Sequence, residues 1–312
     1  MNWLTHDFYH LSFITHRLSL FMLLPLLRLT RPANLITAVA DVLAGMAIAG
    51  YLTLPDAAPA PVGWLSLATV GLYGGGVVFN DVFDAELDAV ERPERPIPSG
   101  RVSLMAATTL GAILLAVGVV AAFMVNPLSG WLAVATGVAA LVYNRFSKHH
   151  ALIGPINMGL CRGLNLLLGV SVLPDQVQPW AWLGVVPVLY IGAITAISQG
   201  EVHGGNTRTL RLAGLLYGAV IAIIAAIAQS RGQLGTALPF LIIFGYYIFV
   251  PLWQAVREPI GRNIGMAVKA GVLSLIVMNA AWVAAFASFP FALLVMCLLP
   301  LSRLLARLFA VT

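Results

Sequence analysis

Asp81, Asp84 and Asp88 follow one another at intervals of three and four residues, with Asn80 directly before them. At 3.6 residues per turn, a helix running through them gathers all four side chains into an arc of about 100° and turns Glu86 to the opposite face. Three carboxylates and an amide on one face form a patch of hard oxygen donors, which suits Mg2+ and not Zn2+. Magnesium keeps several waters and is usually completed by substrate phosphates. Arg92 and Arg95, just downstream, would then meet phosphate oxygens directly. The plain alternative is a solvated loop whose opposite charges cancel. Two features count against it: the carboxylates keep helical phase, and they end an apolar run, "GLYGGGVVFN", whose glycines allow close helix packing.

The elements that must hold this patch are membrane helices. Of 312 residues, 60% are hydrophobic and only 9% charged, with a mean hydropathy of +0.93. A soluble domain carries about 25% charged residues, so most of this surface cannot face water. Apolar stretches long enough to span run over 33–54, 62–83, 103–125, 128–146, 151–173, 180–200, 209–229, 235–254 and 266–288. A tenth, 290–311, carries Arg303 and Arg307 and could cross or lie flat. The fold class expected is therefore all-α, a polytopic bundle of nine transmembrane helices with a possible tenth. Residues 1–32 read as an amphipathic segment on the cytoplasmic surface, and 33–312 as one transmembrane domain. Cys161 and Cys297 both lie in apolar segments and offer no disulfide framework.

Basic residues set the sidedness. With a cytoplasmic N-terminus, Arg28, Arg31, Arg92, Arg95, Arg101, Arg145, Lys148, Arg208, Arg211, Arg257, Arg262 and Lys269 all fall inside, and Arg231 alone falls in an outside loop. This asymmetry accounts for the pI near 9.5 without a nucleic-acid partner, and it draws the C-terminus inward. The acidic patch then lies on the cytoplasmic side of an integral, multi-pass protein, for which a bacterial inner membrane is the expected setting.

Several polar residues inside or beside the spans are further candidates. Asp41 lies mid-span, where an unpaired charge costs roughly 2.5–3.5 kcal/mol, and Arg162, also mid-span, is an obvious partner with Asn165 on its face. A structural ion pair and a substrate contact are equally open for them. Arg31 and Asn34, at the mouth of the first span, are placed to reach a diphosphate or an acceptor, though Arg31 serves equally as an interfacial anchor. Tyr143, Asn144 and Lys148 sit at another cytoplasmic edge, where anion binding competes with anchoring.

These residues resemble a family. "NDVFDAELD" is similar to the N-D-x-x-D-x-x-x-D motif of the UbiA-type intramembrane prenyltransferases, and "RPIPSG" to the segment following it there. "RPANL" at 31–35, "YNRFSKHHALIGPINMGLCRGLNLLLG" at 143–169 and "TRTL" at 207–210 extend the likeness over most of the chain. Within the family it is most similar to the EboC branch. The resemblance implies a helical bundle with a lipid-open cavity and two acidic motifs on the cytoplasmic side holding Mg2+ and an isoprenyl diphosphate. The second motif departs from the family pattern. "SQGEVHGGNTRTL" offers Glu201 as its one carboxylate, beside Gln199, His203 and Asn206. Either Glu201 and diphosphate oxygens hold a second Mg2+ between them, or that ion is absent. His203 is either a diphosphate contact and proton acceptor or a solvated loop residue.

The resulting expectation is a Mg2+-dependent transferase. Asp81, Asp84, Asp88 and Glu201 serve as metal ligands, and Arg31, Asn34, Asn80, Arg92, Arg95, Tyr143, Lys148, Arg162, Asn165 and His203 as substrate contacts. The donor is an isoprenyl diphosphate drawn from membrane lipid, and the acceptor is aromatic or otherwise lipophilic. A non-enzymatic relative that binds or moves a lipophilic metabolite is the alternative, motivated by the reduced second motif. Ordinary transport fits less well, because the acids lie at the membrane edge and no inverted repeat is evident.

Overall fold

The structure, a computed structural model, describes residues 24–150, 152–198 and 206–309. Among these there is no strand. The helices are α1 (Pro32–Ile48), α2 (Pro59–Phe83), its short continuation α3 (Ala85–Glu91), α4 (Leu104–Phe123), α5 (Pro127–Val142), α6 (Ile153–Val170), α7 (Val185–Ser198), α8 (Thr207–Ser230), α9 (Leu234–Arg257), α10 (Gly261–Phe286), α11 (Phe289–Met296) and α12 (Leu298–Leu308). Local chemistry fixes many of their starts. Pro32, Pro59 and Pro127 enter the first turns of α1, α2 and α5, where a missing N–H costs nothing. The side chains of Ser103, Asn126 and Asn206 accept from backbone N–H groups in the first turns of α4, α5 and α8, capping donors that the helix leaves unpaired.

Among the described residues, nine helical segments are long and apolar enough to cross a membrane, from Pro59–Phe83 through to Phe289–Leu308. The expected number is met, but its membership shifts at both ends. Helix α1 has 17 residues, about 25 Å at 1.5 Å per residue, a little short of the roughly 30 Å hydrocarbon core. The C-terminal stretch, open in sequence between crossing and lying flat, is long and apolar enough to cross over Phe289–Leu308 and runs along the bundle. It starts with Phe289 tilted against Phe240 near the beginning of α9, centroids 5.4 Å apart. It ends where Ser302 Oγ donates to the Ala33 carbonyl, 2.9 Å away, at the beginning of α1. With α1 included, ten segments traverse the bundle, and the start of α1 and the end of α12 share a face.

Helix α1 is the central element, packed against α2, α6, α10 and α12. In lipid, helices associate through close packing more than through hydrophobic expulsion, and small residues permit it. Gly45 and Gly169 make the α1–α6 crossing possible. A Cβ on Gly45 would lie 2.2 Å from the Leu166 carbonyl oxygen, and one on Gly169 2.2 Å from that of Val42. Alanine at either site would drive the two backbones apart. Large apolar side chains such as Trp131, Leu215 and Tyr246 point outward, as a lipid-facing surface requires. Most of the amphipathic segment expected over 1–32 lies outside the described residues. Its described end is helical over 24–29, and Leu29 is buried against Val78, Val102 and Ala107.

Candidate active site

The acidic row lies where α2 passes into α3. The helix does not run through it without interruption: Asp84, with ψ near 1°, joins the two pieces. The hydrogen bonds nonetheless keep their i→i−4 pattern, Asp84 N to Asn80 O at 3.0 Å and Asp88 N to Asp84 O at 2.8 Å. The common face therefore survives. Asp81 and Asp88 are buried, Asp84 is half-buried, and Glu86 is exposed.

Each aspartate meets a cation from elsewhere in the chain. Arg31 Nη2 lies 2.7 Å from Asp81 Oδ1. Arg95 Nη1 sits between two of the acids, 2.6 Å from Asp88 and 3.5 Å from Asp81. Lys148 Nζ contacts Asp84. These partners come from three elements. Arg95 is carried by the loop after α3, which Arg101 braces from within by donating to Ser99 Oγ and to the Glu94 carbonyl. Lys148 follows the π-helical turn Tyr143–Ser147 at the end of α5. In that turn Asn144, buried, donates to the Gly76 carbonyl at 2.7 Å and accepts from Asn80 Nδ2 at 3.2 Å. Asn80 therefore fastens α5 to α2. Tyr143 is half-buried at the start of the same turn.

Arg31 is the one non-glycine described residue with positive φ (48°, ψ 67°). Such a conformation costs about 1–3 kcal/mol and persists only where the surroundings hold it. Here it lies directly before Pro32, at the N-terminus of α1, with the guanidinium on Asp81. The one left-handed non-glycine backbone among the described residues thus lies beside the acidic row.

A cavity of about 620 Å³ opens beside Asp81. Its wall is basic: Arg28, Arg31, Arg92, Arg95 and Lys269 against Asp81 and Glu94, with Asn34 at the base of α1. Among the described residues Arg28, Arg92 and Lys269 have no carboxylate partner, and Arg28 Nε is buried without a hydrogen bond. The sequence marked Arg28 and Lys269 only as inside charges. Lys269 lies more than two turns into an apolar helix, which was the available signal.

Arg162 and Asn165 are brought together elsewhere, in the interior of the bundle. Arg162 donates to Asp41 Oδ2 at 2.5 Å and to Thr37 Oγ1 at 2.6 Å. Asn165 donates to the same Asp41 oxygen at 3.2 Å and accepts from Thr69 at 2.6 Å. Asn279 supplies Asp41 Oδ1 from α10 at 2.7 Å. This network ties α1, α2, α6 and α10 together, and neither Arg162 nor Asn165 lines the cavity. Glu201 and His203, with Gln199, lie outside the described residues.

Asp81 and Asp88 converge on one point, held here by the Arg95 guanidinium, so a cation between them is electrostatically at home. Among the described residues no three Asp, Glu, His or Cys side chains converge to hold a metal by themselves. That suits Mg2+, which takes one or two carboxylates and completes its shell with water and phosphate. The donor chemistry fits the ion.

A family model described as the UbiA prenyltransferase family matches residues 38–266. Digeranylgeranylglyceryl phosphate synthase from Ignicoccus hospitalis is 30% identical over 240 residues, covering 72% of this chain and 76% of its own. The same-named protein from Methanopyrus kandleri is 34% identical over 218 residues, covering 69% and 78%. A solved UbiA homologue from Archaeoglobus fulgidus, bound to GPP and Mg2+, superposes with a TM-score of 0.58 at 17% identity over 80% of this chain and 99% of that one. At that identity the likeness is one of fold.

Proposed function

The chain belongs to the UbiA prenyltransferase family and is an integral, multi-pass prenyltransferase; on that premise we propose that it moves an isoprenyl group from a polyprenyl diphosphate to a lipophilic acceptor in a Mg2+-dependent reaction. The observation that carries this reading is the row Asp81, Asp84 and Asp88, each ion-paired, with Asp81 in the wall of a basic cavity. Asp81 and Asp88 would hold Mg2+, joined by Asp84, once diphosphate has drawn Lys148 from it, and by Glu201 from the second motif. When bound, the ion neutralises charge on the departing diphosphate.

The remaining work belongs to side chains. Arg31, Arg95 and Lys148 release their aspartates and take up diphosphate oxygens, joined by Arg92. The carbon–oxygen bond of the donor breaks with the electron pair leaving on diphosphate. The allylic cation left behind survives because the bundle keeps water away, until the acceptor's nucleophilic atom captures it and loses its proton. Asn34, in the cavity wall, and Tyr143, at the start of the turn that carries Lys148, would orient the reacting groups, and His203 of the second motif would serve as a diphosphate contact. Arg162 and Asn165 act at a distance, by holding α1 and α6 in place.

For the acceptor, Arg28 and Lys269, which line the cavity and have no carboxylate partner among the described residues, favour a lipid with an anionic head over a neutral aromatic ring. The names of the two archaeal relatives, which specify a glyceryl phosphate, point the same way. The positive-inside asymmetry supports a cytoplasmic position for the site, in what we take to be a bacterial inner membrane, and the EboC-branch placement remains part of this proposal.

The test is diphosphate release from radiolabelled geranylgeranyl diphosphate by purified protein, with Mg2+ or EDTA, and with a glyceryl phosphate lipid or an aromatic acid as acceptor. Mg2+-dependent release and a prenylated phospholipid are expected. Isoprenyl diphosphate binding that ignores both Mg2+ and Asp81→Ala would sink the reading.

A further inference from the structure

Helices α11 and α12 begin at Phe289, beyond the residues that the family model matches, and yet the end of α12 builds part of the site. Helix α12 is two-faced. Leu299 and Ser302 are buried against the bundle, Ser302 being hydrogen-bonded to the first turn of α1. Leu301, Leu304 and Leu308 point outward. Arg303 steadies the helix from the side, its guanidinium 5.4 Å from the Tyr247 ring centre and 3.2 Å from the hydroxyl. One and two turns beyond Ser302, the inward stripe reaches the cavity as Leu305, Ala306 and Phe309.

The rest of that cavity wall is charged or polar, apart from Pro32, Ala33 and Pro96. Leu305 and Phe309 are thus its only large apolar side chains among the described residues. A substrate whose anionic head sits among Asp81, Arg31 and Arg95 has room for its first carbons within the same 620 Å³. Those carbons seek apolar contact, and α12 supplies it.

We propose that Leu305 and Phe309 are specificity-determining residues that receive the head-proximal isoprene units of the substrate, so that the C-terminal helix makes the cavity selective for a branched hydrocarbon chain next to an anionic head. This rests on the prenyltransferase reading above. Either the donor or an isoprenoid acceptor presents that chemistry, and the experiment separates them.

Full-length protein in nanodiscs with Mg2+ is titrated with inorganic diphosphate, geranyl diphosphate, geranylgeranyl diphosphate and geranylgeranylglyceryl phosphate. The variants are Leu305→Ala, Phe309→Ala, the space-filling Leu305→Trp, and Leu308→Ala on the outward face as control. Loss of apolar contact in a pocket is worth about tenfold in affinity. Leu305→Ala and Phe309→Ala should weaken the isoprenyl diphosphates by that factor and leave inorganic diphosphate within twofold, which also shows that the variants are folded. Leu305→Trp should weaken the same ligands, and Leu308→Ala should change nothing. A tenfold loss confined to geranylgeranylglyceryl phosphate supports the proposal with the acceptor as occupant. If the wild type binds isoprenyl diphosphates and all three inward variants bind every ligand as it does, the role of α12 is overturned while the prenyltransferase reading stands. A wild type that binds inorganic diphosphate but no isoprenyl diphosphate overturns both.

Discussion

Asp41→Asn and Arg162→Gln, made singly and together, test whether the interior network is held by charge or merely by hydrogen bonds. Asp41 is 2% exposed and accepts from Arg162, Asn165 and Asn279. Two accounts of that cluster give different numbers. Interhelical hydrogen bonds in membranes average only about 0.6 kcal/mol each, so three of them amount to roughly 2 kcal/mol, lost in portions and approximately additively. A buried ion pair behaves otherwise, because removing one member strands the other's charge and costs about 3–5 kcal/mol. Arg162 is 7% exposed and has no second carboxylate among the described residues, so the second account should apply. Each single variant is expected to lose about 3–5 kcal/mol in denaturant unfolding from mixed micelles. The double variant leaves two neutral amides able to pair, and should fall short of the summed losses by at least about 2 kcal/mol. Independent sites add to within about 0.5 kcal/mol. Additivity at that level, or single losses near 1 kcal/mol, would refute the ion-pair account.

Alanine at Asp81, Asp84 or Asp88 should each reduce Mg2+-dependent geranylgeranyl diphosphate binding at least tenfold, while exposed Glu86→Ala stays within twofold; equal damage from Glu86→Ala in the same titration would remove the helical-face argument. Glu201→Gln should raise the Mg2+ concentration needed for half-maximal donor binding, since it deletes a charged oxygen and nearly keeps the shape. Gln199→Asp should lower that concentration; both are read by titrating Mg2+ at fixed donor.

Periodicity alone carried the helices and the acidic face, because both are local properties of 3.6-residue spacing. It also carried the Asp41–Arg162 pair, since two opposite charges in apolar spans have few other ways to be satisfied. What it missed is what depends on distant chain segments meeting. Arg31 and Lys148 lie 50 and 64 residues from the aspartates they pair with, and nothing in their own neighbourhoods names a partner. Asn279 is a lone amide in an apolar helix; such a residue suggests a buried polar contact, but not that it completes the coordination of Asp41. Asn80, expected on the metal face, has a second role that spacing does not reveal, since its amide nitrogen fastens the Asn144 turn. The boundary at Asp84 was equally hidden, because a one-residue change in ψ leaves the hydrophobic pattern intact.

The paired aspartates explain how such a site can exist without its ligand. Three carboxylates on one half-buried face would repel one another and resist desolvation. Arg31, Arg95 and Lys148 cancel that charge one for one. The same pairing opposes Mg2+ by itself, since the ion must displace Arg95 from its place between Asp81 and Asp88 and leave that guanidinium without a counter-charge. Diphosphate removes the conflict by giving the displaced cations new anionic partners, while its oxygens finish the metal's shell. Metal and diphosphate should therefore strengthen each other's binding by the same factor, as linkage requires. The pairing within the row is what makes that coupling positive: Mg2+ alone strands the cations it displaces, diphosphate alone strands the aspartates those cations leave, and the two together satisfy both.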